Sequence, residues 1–170
     1  VVSALAAAPP IEAVVRACIA EVDDPEIPGV SIVDLGIVHD VRVSPSAIRV
    51  ELLPTFVGCP ALDVLRDAIA GKLRGLADDV QVDFTFSEPW TSGRITDEGR
   101  AALAARGFAP PSVAHEATGL HPALPVLPIA QCPFCGSRRA TLENAFGPTL
   151  CRAIYYCADC RQPFEQFKSV

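Results

Sequence analysis

The stretch "AIRVELLPTFVGCPALDVLRDAIAGKL", residues 47–73, decides the fold, because the period of its apolar residues changes halfway along. Ile48, Val50 and Leu52 alternate with Arg49 and Glu51, the pattern of a strand with one face in a core. From Ala61 onward Leu62, Leu65, Ile69, Leu73 and then Leu76 fall on one face of a helix. Between the two lies Gly58-Cys59-Pro60. Proline favours the first turn of a helix, which makes Cys59 the expected N-cap, with its thiol beside unpaired backbone N–H groups. Those donors favour thiolate, so a lowered pKa is expected. The plainer reading, that Gly-Cys-Pro is only a tight strand-to-helix connection, carries equal weight on geometry alone.

Working outward, Ile11, Val14, Val15, Cys18, Ile19 and Val22 recur at helical spacing until Pro25 forbids continuation. Cys18 lies on that apolar stripe and reads as a small buried hydrophobe. "DDPEIPGVS" (23–31) reads as a loop. "GIVHDVRV" (36–43) and "AIRVELL" (47–53), separated by "SPS", form a hairpin. "VQVDFTF" (80–86) adds a strand with Val80, Val82, Phe84 and Phe86 directed inward. "TDEGRAALAARG" (96–107) is a short helix with Thr96 as N-cap and Gly107 as its stop. The order helix, strand, strand, helix, strand predicts an α+β class, a small sheet with helices packed on one face. Residues 1–9 are a tail, 10–108 the α+β domain, 109–130 a proline-rich linker and 131–170 a separate C-terminal module.

Charge supports that division. Residues 1–129 carry 9 Lys/Arg and 17 Asp/Glu, whereas residues 130–170 carry 5 and 3. A net charge of −6 disfavours a dedicated nucleic-acid or anionic-membrane binder, which needs a basic face. "VVSALAAAPP" has no basic region and reaches proline too soon for a signal peptide, and no apolar run reaches the ~18 residues of a membrane span. A cytoplasmic location is the expectation. Seven cysteines there are thiols and metal ligands rather than a disulfide framework.

"CPFC" (132–135) and "CADC" (157–160) are two C-x-x-C pairs, and their spacing is the strongest single signal in the chain. Each short spacer turns the backbone so that both sulfurs face one point, and two such knuckles complete a tetrahedron. Cys132, Cys135, Cys157 and Cys160 are therefore the expected ligands of a structural zinc, with iron as the rival metal. About forty residues bury too little surface to fold unaided, so the metal supplies the missing stability. A closed four-thiolate site leaves no open position for chemistry. Cys151 is a fifth thiol nearby, either a spare or neighbouring ligand or a buried strand residue. Phe146, Tyr155, Tyr156, Phe164 and Phe167 are expected to form a small core around this ribbon. A nucleic-acid reading would use Tyr155 or Tyr156 for stacking and Arg138, Arg139 and Arg152 for phosphates. Near Cys59, the carboxylates of Asp23, Asp24 and Glu26 could face the thiol across the sheet end, and His39 reads as an ordinary strand residue rather than a base.

"DDPEIPGVSIVDLGIV" (23–38) followed by "TFVGCP" (55–60) resembles the SufT-like domain shared by iron–sulfur assembly factors, whose marks are a D-P-E loop and a T-x-x-x-C-P turn. "EPWTSGRITDEGR", "GFAPP", the paired cysteines, "FGPTLCRAIYYCADC" and "PFEQFK" extend the resemblance over nearly the whole chain to the PaaD family, whose members are encoded with phenylacetyl-CoA epoxidase. The resemblance implies that Asp24, Pro25, Glu26, Thr55 and Cys59 form a functional surface for transient iron or an iron–sulfur cluster. It implies a non-catalytic maturation role in aerobic phenylacetate degradation, with the epoxidase subunits or their reductase and the iron–sulfur assembly machinery as partners. One cysteine cannot complete a cluster site, so a homodimer or a client would provide the remaining ligands. The competing expectations are a redox or catalytic component with iron in the ribbon, and a nucleic-acid-binding ribbon.

Overall fold

The computed structural model describes residues 11–56, 58–111 and 130–168. The expected tail (1–9) and most of the expected linker lie outside those residues. The first half contains α1 (Ile11–Ala20), β1 (Asp23–Asp24), β2 (Ile27–Ser31), β3 (Val38–Val43), β4 (Ala47–Leu52), α2 (Leu62–Leu73) and β5 (Asp79–Phe84). A 3-10 turn at Ser92–Arg94 and α3 (Asp97–Ala105) follow. The remaining strands are β6 (Phe108–Ala109), β7 (Ala140–Asn144), β8 (Arg152–Cys157) and β9 (Pro163–Phe167).

The central sheet has the order β3-β4-β5. Strands β3 and β4 pair antiparallel as the hairpin, while α2 carries the chain across so that β5 returns parallel to β4. Alternation on β4 places Ile48, Val50 and Leu52 in the core, and the opposite face carries polar pairs such as Arg49 with Asp79 at 2.7 Å. The apolar stripes of α1 (Val15, Ile19) and α2 (Leu65, Ile69, Leu73) close the covered face. Cys18 packs partly buried against the same core. The segment 23–31 is not a plain loop: β1 and β2 pair antiparallel around the Asp24–Ile27 turn. Asp24 Oδ1 accepts from the Glu26 N–H at 2.8 Å, an Asx turn that competes successfully with an open loop. Phe86 departs from its expected inward place because β5 ends at Phe84, and its side chain is 61% exposed.

Thr96 caps α3 as its sequence predicts, its hydroxyl accepting the Gly99 N–H at 3.0 Å. Gly99 itself is required there, since any Cβ would collide with the Asp34 carbonyl. Helix α3 thereby docks on the loop between β2 and β3.

The C-terminal sheet has the order β6-β9-β8-β7. Its first strand is unexpected, because Phe108–Ala109 leaves α3 and pairs parallel with β9. Ala109, read from sequence as the start of the linker, is thus a ladder residue. The five aromatics also divide differently from expectation. Tyr155 and Phe164 stack in the ribbon core at 5.7 Å, whereas Phe146 and Tyr156 are exposed. Phe167 is buried in the core of the other half, edge-on to Trp90 at 5.6 Å. Trp90 in turn donates its indole N–H to the Leu35 carbonyl at 2.9 Å. The two sheets therefore share packing, although a proline-rich segment joins them in sequence.

Trp90 is the only tryptophan, so it reports this junction directly. Phe167→Ala should cost about 3 kcal/mol or more of stability by the usual cavity penalty, and shift tryptophan emission to longer wavelength as water reaches the ring. Denaturant unfolding followed by fluorescence checks both.

Candidate functional site

Two clusters of chemistry-bearing residues stand out, one at each end of β8. At its C-terminal end, Cys157 begins a knuckle that mirrors the one beginning at Cys132. In each, the first cysteine's carbonyl accepts at 2.9 Å from the N–H of the residue that follows the second cysteine, Gly136 in one case and Arg161 in the other. Both of those residues are left-handed, at φ +73° and +60°. Glycine takes that conformation freely, whereas for Arg161 it carries a cost that the knuckle imposes.

The four sulfurs lie within 4.8 Å of one another, with Cys132 to Cys160 and Cys135 to Cys157 both at 3.6 Å. Tetrahedral coordination with metal–sulfur bonds of ~2.3 Å needs S···S edges of about 3.8 Å. The donor set fits a closed metal site. Within the set, backbone N–H groups of Cys160 and Asp159 bring the Cys157 thiol down to about 7, whereas burial pushes Cys160 up to about 12.

The second cluster lies where the other end of β8 meets the β1–β2 turn. Asp24, Pro25, Thr55 and Cys59 line one narrow cleft of about 20 Å³ together with Ile37, Pro54, Leu62, Leu65 and Phe84. The sheet end and the first turn of α2 thus bring together residues more than thirty positions apart. Glu26 flanks the cleft, its carboxylate within electrostatic reach of Cys59.

Cys59 is not the N-cap of α2. Ala61 holds that position in helical geometry, and the chain turns through Gly58–Ala61 before α2 starts at Leu62. The thiol is accordingly raised, not lowered. Burial pushes it up, a backbone N–H from Ala61 opposes this, and the charges of Glu26 and Asp24 push it further up. Asp24 is raised as well, chiefly by burial, with the Glu26 N–H and the Arg152 charge acting against it. His39 takes no part here; its Nδ1 stands 3.3 Å from Glu88.

From sequence, Cys151 is a spare thiol of the ribbon and Arg152 a candidate phosphate contact, and neither is expected at this cluster, where both in fact meet Glu26. Arg152 is buried, and its guanidinium holds Glu165 at 2.9 Å and Thr149 at 2.8 Å, stands 3.9 Å from Glu26, and covers the Phe108 ring at 5.4 Å. Cys151 Sγ points at Glu26 Oε2 from 3.8 Å and touches Thr149 Oγ1 at 3.1 Å. A short apolar run, "RAIYYC", gives no local sign that its arginine faces inward.

Residues 12–84 match the family described as iron-sulfur cluster assembly protein, and residues 125–168 match the PaaD zinc beta ribbon domain. Over 165 residues, 96% of each chain, the sequence is 37% identical to a putative 1,2-phenylacetyl-CoA epoxidase subunit of Escherichia coli K12. The chain belongs to the PaaD family. Among solved structures, a domain of unknown function (DUF59) from Bacillus anthracis is 27% identical, with a TM-score of 0.51 over 55% of this chain and 91% of that one. A conserved hypothetical protein from Thermotoga maritima is 26% identical over 52% of this chain and 89% of its own, with a TM-score of 0.45. In this PaaD chain the four-cysteine cluster is a metal-binding site of zinc-ribbon type. Among the described residues, no helix is long and apolar enough to cross a membrane.

The raised Cys59 thiol has a measurable consequence, because thiolate is the reactive form. Its alkylation rate should still climb with pH where an ordinary cysteine has levelled off. Glu26→Gln should move the midpoint of that climb down, since it removes a charge that opposes ionisation. Mass-spectrometric quantification of alkylated Cys59 against pH checks both directions. A plateau near neutral pH would restore the helix-terminus reading.

Proposed function

We propose that this chain is an accessory protein of the phenylacetyl-CoA epoxidase system of aerobic phenylacetate degradation, working in the cytoplasm. It helps load iron or an iron–sulfur cluster into a protein of that system and does not act on the epoxidase substrate. The observation that carries the reading is the convergence of Cys59 with the Asp24-Pro25-Glu26 turn and Thr55 on one cleft. This cleft is distinct from the closed four-thiolate set. Membership of the PaaD family and the match to iron–sulfur assembly proteins supply the context.

The division of labour follows from coordination chemistry. Four thiolates leave no open position, so Cys132, Cys135, Cys157 and Cys160 hold a structural zinc that cross-links the two knuckles. A partly exposed thiol beside carboxylates offers an incomplete set, suited to a cargo that must also leave. Asp24 and Glu26 attract a cation, and Thr55 lines the same cleft. The remaining ligands of a cluster come from the client, an epoxidase subunit or its reductase, from the assembly machinery, or from a second copy of this chain. An overall acidic chain favours protein partners over nucleic acid.

Elemental analysis should find about one zinc per chain, lost in Cys132→Ser. Native iron in its place would overturn the structural-zinc assignment. Cys59→Ser, nearly isosteric at a half-buried position, should keep the zinc and the fold. In cells carrying that variant, phenylacetate-dependent growth and the iron content of purified epoxidase should both fall, while Cys18→Ser leaves both unchanged. Full iron loading with Cys59→Ser would mean that the thiol only shapes the turn.

A further inference from the structure

Strand β7 is the outer strand of the ribbon sheet, and its far side pairs with no strand among the described residues. Its pairing with β8 fixes which backbone groups that side presents. The Ala158 N–H donates to the Arg139 carbonyl, while Ala140 stands opposite Cys157 and Thr141 opposite Tyr156. Hydrogen-bonded and non-hydrogen-bonded pairs alternate along an antiparallel ladder, so Arg139 and Thr141 turn their N–H and C=O toward β8. Ala140 and Leu142 turn theirs outward. Such an edge is a template for another strand.

The edge is complementary to itself. With β7 set antiparallel to a second β7 and Thr141 opposite its counterpart, Ala140 faces Leu142 of the partner subunit and Leu142 faces the partner's Ala140. The outward groups then close as four hydrogen bonds arranged about a two-fold axis. Leu142, 37% exposed in the single chain, comes to lie beside the partner's Ala140, which packs on the partner's ribbon core. On the opposite face the same register sets Arg139 across from Glu143 of the partner subunit, and does so twice. Both side chains are exposed. Arg139 holds Asp159 at 2.7 Å through Nη1, which leaves its remaining nitrogens to face outward. Opposite charges across a strand pair stabilise it. The bulge between Leu142 and Asn144 ends the regular edge and confines the pairing to this short stretch.

Charge also favours this face over others. Residues 130–170 carry 5 Lys/Arg and 3 Asp/Glu, against 9 and 17 in residues 1–129, so joining two copies ribbon to ribbon keeps their acidic halves apart. We infer that the chain pairs with a second copy of itself through β7, as an isologous dimer in which the two ribbon sheets run on as one. β7 leads from the metal site toward the Arg152 end of β8, and the partner's β7 leads the other way. Asn144 and its counterpart are then six residues apart along the joined edge, about 20 Å. The two Cys59 clefts lie beyond opposite ends of that edge, too far apart to share one cluster. On the reading of Cys59 as a cargo surface, the remaining cluster ligands come from the client or the assembly machinery rather than from this second copy.

Sedimentation velocity of the zinc-loaded full chain over a range of concentrations tests the pairing. Wild type should show a monomer–dimer equilibrium. Ala140→Pro removes an outward N–H and leaves the bonds to β8 in place, and should weaken the dimer at least roughly tenfold. Glu143→Arg sets like charges opposite each other twice and should weaken it about tenfold, and adding Arg139→Glu to that variant should restore wild-type affinity. A wild-type chain that stays monomeric up to its highest soluble concentration would overturn the inference. So would a dimer that both single variants leave as tight as wild type, since it must use another face. Zinc content and Trp90 emission report whether each variant is folded. If Ala140→Pro is not, Glu143→Arg decides, and wild-type affinity in that variant overturns the inference. None of these substitutions touches the cleft, so the effect of Cys59→Ser on epoxidase iron decides the proposed function separately.

Discussion

Burial of the Phe167 ring against Trp90 joins two cores that sequence separates. The ring is the last residue of β9, a strand of the ribbon, yet it fills space in the α+β half. β9 is held in place by β8, and β8 ends in Cys157, a ligand of the metal site. A ribbon of this size has little core of its own, so loss of metal would release β8 and β9 together. The consequence reaches the β1–β2 turn, because Arg152 and Cys151 touch Glu26 from the other end of β8.

That arrangement also explains the protonation of the thiol cleft. A cysteine at a helix N-terminus is activated by unpaired N–H groups, but the turn through Gly58–Ala61 interposes Ala61 at the cap and buries Cys59 beside two carboxylates. Burial and like charge both favour the neutral thiol. Such a site is quiet until a cation reverses the balance, which suits a cargo surface better than a nucleophile. The balance belongs to the assembled junction, since the Arg152 charge opposes the rise of Asp24 from the ribbon side.

The parts of this structure that can be read from the sequence are those whose determinants are local. Ile48, Val50 and Leu52 announce β4 by period, Thr96 announces α3 by its hydroxyl, and the two C-x-x-C pairs announce the metal site by spacing. Cys59 and the D-P-E turn stand out as a candidate surface, but the local pattern points the thiol's ionisation in the wrong direction, because burial and neighbouring charge are tertiary properties. Phe86 and Phe146 look like core residues and are exposed, and Phe167 joins the wrong core for its own strand. Arg152 sits in an apolar run with no local mark of its partners, which come from Glu26, Phe108 and Glu165. Residues 23–31 hide a hairpin because its stabilisation lies in the Asp24 side chain and in pairing of only two residues from β1.

The central claim is that metal in the ribbon holds the β1–β2 turn through β8. Amide hydrogen exchange of the zinc-loaded chain, compared with the same chain stripped of zinc, tests it most directly. The account predicts that protection falls together in residues 132–167 and in residues 23–31, while β4 and α2 keep theirs. Loss confined to the ribbon, with residues 23–31 as protected as before, would contradict it.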